Sequence, residues 1–95
     1  MRRRYLISYD VADDKRRTGI FEMLMGNGDH VQYSVFLCEL NERELAELSG
    51  RLTQAVNQRQ DQVIVLDLGD CQHDLAATLK CIGKTYQPPS RVQVV

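Results

Sequence analysis

One segment limits the fold more than any other. Val31–Leu40 is a ten-residue run with apolar side chains on both of its faces. Val31, Tyr33, Val35 and Leu37 alternate with Gln32, Ser34, Phe36 and Cys38, the period-two pattern of a strand. A strand of that kind needs cover on both sides. The chain has only 95 residues, so one domain must supply that cover or recruit a second copy to supply it. A strand over Tyr5–Tyr9 precedes the run, with Tyr5, Ile7 and Tyr9 on one face and Leu6, Ser8 and Asp10 on the other.

Helical patterns separate the strands. A helix is predicted from Asp13 to Asn27, capped by Asp13 or Asp14, with Ile20, Phe21 and Leu24 as its buried stripe. Gly28 suits a left-handed residue after its end. Asn41-Glu42-Arg43-Glu44 has the form of a capping box, and Leu45, Leu48, Leu52 and Val56 give the next helix its apolar stripe. Asp61–Leu68 reads as a strand, Asp70–Ala77 as a helical turn and Thr78–Ile82 as a short strand. Pro88-Pro89 then stiffens a terminal arm whose strand is Arg91–Val95. The order β-α-β-α-β predicts an α+β two-layer sandwich with helices on one face of a sheet. The division is a domain at 1–87 and a C-terminal arm at 88–95. The bare face is expected to take a second subunit as a homodimer.

Composition is ordinary for a globular chain: 43% hydrophobic, 26% charged, net charge -1. Three cysteines without CxxC spacing, and two histidines at no zinc-ligand interval from them, argue against a metal-cysteine site and for a reducing compartment, so a cytoplasmic location is expected. No segment is long enough to span a membrane. Charge is unevenly distributed: Arg2, Arg3, Arg4, Lys15, Arg16 and Arg17 crowd the start, whereas Glu39, Glu42, Glu44 and Glu47 cluster later.

The chemistry concentrates at Tyr9-Asp10-Val11-Ala12-Asp13-Asp14-Lys15-Arg16-Arg17. A strand ends in a carboxylate, two acids follow, and three cations open a helix. Acids able to hold a metal thus sit beside cations able to hold phosphate, which points to phosphodiester chemistry or a grip on a nucleic-acid backbone. Each residue also has a plainer reading. Asp10 either holds a metal or starts a turn. Asp13 and Asp14 either support a metal or cap the helix. Arg16 and Arg17 either clamp phosphate or solvate a helix face. Tyr9 orients a phosphate or fills the core. Ser34 and Phe36 share a strand face, where Phe36 stacks on a base or packs in a dimer core. Arg2–Arg4 touch a nucleic-acid backbone or fray.

Three blocks carry a family resemblance: Tyr5-Leu-Ile-Ser-Tyr9-Asp10 with Asp13-Asp14-Lys15-Arg16-Arg17; Gly28 followed by Val31-Gln32-Tyr33-Ser34-Val35-Phe36-Leu37-Cys38; and Asp61-Gln62-Val63-Ile64-Val65-Leu66. They span most of residues 5–68. In them the chain resembles the small CRISPR-associated Cas-two nuclease family of the spacer-acquisition module. The resemblance implies a ferredoxin-like fold with an antiparallel sheet and a terminal edge strand, a hairpin within residues 29–40, and a homodimer packed through its sheets. It implies a Mg2+-dependent endonuclease acting on RNA or DNA, with Asp10 as metal and catalytic residue, and an integrase subunit as partner. Many relatives carry a basic residue where this chain has His30. Two other readings stay open: a toxin-like messenger RNA endonuclease of similar fold, and a non-catalytic scaffold that binds nucleic acid.

Overall fold

The structure, a computed structural model, describes residues 1–87. The arm at 88–95, with its expected terminal strand, lies outside the described residues. The elements in chain order are β1 (Arg3–Asp10), α1 (Asp14–Met25), β2 (Asp29–Gln32), β3 (Val35–Leu40), α2 (Glu42–Ala55), β4 (Gln62–Asp70) and the single turn α3 (Leu75–Thr78). The sheet order is β2-β3-β1-β4 and every pairing is antiparallel. With both long helices on one face, this is the ferredoxin-like α+β sandwich.

Alternation in β1 places its residues as the sequence implies. Tyr5, Ile7 and Tyr9 are buried, Leu6 and Ser8 are half-buried, and Asp10 is exposed. The buried set packs with Ile20 and Leu24 of α1, Leu48 and Leu52 of α2, and Phe36, Cys38 and Leu40 of β3 in one core. The helix starts also match. Asp13 caps α1 by accepting from the Arg16 backbone N–H at 2.9 Å. Asn41 and Glu44 exchange side chain-to-backbone bonds of 2.8 and 2.9 Å, a complete capping box.

Several expectations change. Val31–Leu40 is not one continuous strand: β2 and β3 form the hairpin within residues 29–40 that the resemblance implies, turning at Tyr33-Ser34. Thr78–Ile82 forms no strand: Thr78 ends α3, and the chain beyond it is irregular. Gly28 is not left-handed. It is a point of close approach instead, because a Cβ there would lie 2.4 Å from Cys38 Sγ and 2.5 Å from the Leu37 carbonyl oxygen. The left-handed glycine in the sheet is Gly69, at φ 99°, where the β1–β4 register shifts beside Arg4 and Tyr5.

The sheet's other face is not wholly bare. Residues Leu79–Gln87 share a cleft with Leu6, Val35 and Leu37 of that face. Leu37 is buried there, while Ile64 and Leu66 of the edge strand β4 each remain 52% exposed. The N-terminal cations do not fray. Arg2 pairs with Glu44 at 2.7 Å, Arg3 with Asp67 at 3.0 Å and Arg4 with Glu39 at 3.5 Å. Two of these pairs, Arg2–Glu44 and Arg4–Glu39, join the basic and acidic clusters read separately in the sequence.

Candidate active site

Three elements meet where β1 ends. β1 delivers Tyr9, Asp10 and Val11. The first two turns of α1 deliver Arg17, Thr18 and Phe21. The β2–β3 hairpin delivers His30, Tyr33 and Ser34. Together they line one open cavity of about 510 Å³. A bond from the Tyr9 N–H to the Ser34 carbonyl, 3.1 Å, carries the β1–β3 ladder one step further and draws the turn against the strand end.

Asp10 is exposed, and its carboxylate accepts no hydrogen bond and faces no ion pair among the described residues. The neighbouring acids are committed elsewhere. Asp13 caps the helix, Asp14 pairs with the Arg17 side chain, and Asp61 is enclosed. No group of three metal-ligating side chains occurs among the described residues. One free carboxylate still suits magnesium, which keeps several waters and binds through one or two carboxylates plus phosphate oxygens.

The two arginines have different roles. Arg17 lines the cavity, where Nη1–H donates to the Val11 carbonyl at 3.0 Å and Nη2–H to Asp14. A guanidinium has five N–H donors, so Arg17 retains donors for an anion. Arg16 is not in the cavity. It bonds Asp61 at 2.8 Å and Gln60 at 3.2 Å. The Asp61 side chain is fully enclosed and also accepts from the backbone N–H groups of Ala12 (3.1 Å) and Asn57 (2.8 Å). Its carboxyl is held down to about 2, first by the Arg16 bond and then by the Asn57 and Ala12 amides. This clasp ties the loop after Asp10 to the start of β4. No local signal in the sequence marks Asp61, which precedes its strand like any turn aspartate.

Tyr9 is nearly buried and lies 6.3 Å from the Phe36 ring. Burial raises its phenol pKa and the Arg17 charge partly offsets this, so it remains a neutral hydroxyl at the cavity wall. Ser34 lines the cavity. Phe36 does not: it is 0% exposed, among Tyr9, Phe21 and His30. It is a core residue on the helix side of the sheet, out of reach of a base or of a subunit on the opposite face. Burial also pushes the Cys38 thiol up to about 11, which makes it inert packing. Thr18, Phe21 and Tyr33 belong to the cavity although residue type alone did not single them out.

Comparison with known proteins gives a consistent picture. A family model described as CRISPR associated protein Cas2 matches residues 1–75. A CRISPR-associated endoribonuclease Cas2 of Geobacter sulfurreducens is 32% identical over 91 residues, covering 96% of this chain and 95% of the relative. Among solved structures, a hypothetical protein from Thermus thermophilus superposes with a TM-score of 0.78 at 29% identity, covering 94% of this chain and all of the other. Cas2 of Streptococcus pyogenes superposes with a TM-score of 0.73 at 26% identity, covering 84% of this chain and 99% of the other.

Proposed function

The chain belongs to the Cas2 family of CRISPR-associated proteins, and from that premise we propose that it is a small Mg2+-dependent endonuclease that works as a dimeric adaptor in spacer acquisition. The observation that carries the catalytic part is Asp10, a carboxylate free of internal bonds at a cavity mouth beside an arginine with spare donors. Asp10 would hold the ion, which when bound polarises a phosphodiester and generates a nucleophilic water. Arg17 would hold the phosphate and Tyr9 would present its neutral hydroxyl to it.

The acid set is thin, since among the described residues Asp10 is the single carboxylate that lines the cavity. A two-fold dimer would bring a second Asp10 to complete the site. The half-exposed Ile64 and Leu66 on the sheet's open face support pairing of two copies there. The same thinness favours the adaptor as the cellular role, holding integrase subunits on DNA through backbone contacts.

One substitution tests both parts. Asp10→Asn is isosteric and removes only charge, so the expected result is loss of Mg2+-dependent cleavage with an unchanged fold. Spacer acquisition should persist in cells that supply the integrase. Undiminished cleavage by the pure variant would reject Asp10 as the metal residue. Loss of acquisition with the complex intact would make the chemistry, not the scaffold, the cellular role.

A further inference from the structure

The stacking residue expected at Phe36 is buried, but a different aromatic stands in its place. Tyr33, at the tip of the β2–β3 hairpin, is 94% exposed. Its ring and hydroxyl have no partner among the described residues. It lines the same cavity as Asp10 and Arg17. An aromatic ring left in water beside an arginine and a small cavity is the arrangement that proteins use to hold unpaired bases, because every base has a π-face to stack and a phosphate to neutralise.

The backbone that carries the ring is held in place before any ligand arrives. His30 Nε2–H donates to the Tyr33 carbonyl at 2.5 Å, which fixes that tautomer because a carbonyl only accepts. The His30 ring stacks on Phe36 at 4.8 Å and meets the edge of Phe21 at 5.2 Å. The Tyr9–Ser34 bond secures the other side of the turn. With the turn backbone fixed on both sides, only the Tyr33 side chain is left to order when a base settles on it.

We propose that the cavity beside Asp10 is a subsite for one unpaired nucleotide, its base stacked on Tyr33 and its phosphate at Arg17. The ligand class is single-stranded nucleic acid, RNA or DNA. A duplex is excluded from this subsite because its bases already stack on one another and, along its length, leave no base face free for a ring to stack on. The inference rests on reading the chain as a nucleic-acid-binding protein, and deepens it.

The test is fluorescence anisotropy of fluorescein-labelled 12-nucleotide probes in EDTA, so that nothing is cleaved. The probes are single-stranded RNA, single-stranded DNA, a DNA duplex, and a single strand whose internal residues are abasic. The proteins are wild type, Tyr33→Phe, Tyr33→Leu and Arg17→Ala. Stacking predicts that Tyr33→Leu weakens single-strand binding about 5-fold or more, whereas Tyr33→Phe restores it. The abasic strand and the duplex should be indifferent to either change. The stronger of the RNA and DNA responses identifies the natural source. The exposed position makes both tyrosine variants fold normally, which circular dichroism checks. If Arg17→Ala weakens every probe but Tyr33→Leu weakens none, or weakens duplex and single strand alike, the subsite is refuted and nucleic-acid binding stands. If wild type binds no probe, both readings fall.

Discussion

The same chemical change at three glycines should shift stability in opposite directions, and the structure says which way. At Gly28 an added Cβ would lie 2.4 Å from Cys38 Sγ and 2.5 Å from the Leu37 carbonyl oxygen, about 1 Å inside ordinary contact at 3.4 Å. The carbonyl belongs to β3 and the sulfur is wholly buried, so neither can swing aside. The hairpin must move as a unit and loosen the core under it. Overpacking of this kind costs about 2–3 kcal/mol. In a domain this small that is a fall in Tm of about 10–20 °C. Gly19 in α1 and Gly50 in α2 are exposed helix-interior positions with nothing within 4 Å of an added Cβ. Alanine there removes unfolded-state freedom and should stabilise by about 0.5–1 kcal/mol, raising Tm by about 3–6 °C. Thermal and urea melts followed by circular dichroism, all at one protein concentration so that dimerisation does not confound them, give the comparison. Gly28→Ala melting within ~2 °C of wild type would refute the close-approach argument.

The arginines should separate cleanly. Arg17→Ala should flatten the dependence of log affinity for single-stranded DNA on log salt by about 0.7 and lower Tm less than Arg16→Ala does. Arg16→Ala should lower Tm and leave the salt slope alone, since Arg16 serves Asp61; the reverse result would exchange their roles. Asp61 should also shape acid unfolding. Its carboxyl is depressed from 3.8 to about 2 in the folded chain, so its contribution is complete above pH 3.8 and lost as pH falls from there through about 2. Asp61→Asn should therefore be less stable at neutral pH and show a shallower loss across that window by urea titration; an unchanged profile would mean that the clasp contributes nothing.

Much of the architecture was legible locally. The period-two pattern of β1 determined which side chains enter the core. The Asn41 capping box and the Asp13 cap marked both helix starts, because those bonds close within three residues. Asp10 at a strand end next to a helix start is likewise a local pattern. The resemblance supplied the hairpin, which alternation alone left as one strand.

What the tertiary structure decided depends on contacts distant in sequence. Neighbouring positions on a helix point about 100° apart, so Arg16 and Arg17 had to face different surroundings. Which one faced Asp61, 45 residues away, no local pattern could say. The turn at Tyr33-Ser34 and the register shift between His30 and Gln32 break the parity of the apparent long strand, sending Phe36 inward and leaving Tyr33 in solvent. Gly28 reads as a helix terminator until Cys38 and Leu37 are brought against it across the hairpin. The sequence by itself determined where β1, α1, α2 and β4 begin and which face β1 buries, since those follow from bonds and side-chain periods a few residues long. The tertiary structure alone decided which cation, which aromatic ring and which carboxylate are left free to meet a ligand, since a group is free only when every distant neighbour has found another partner.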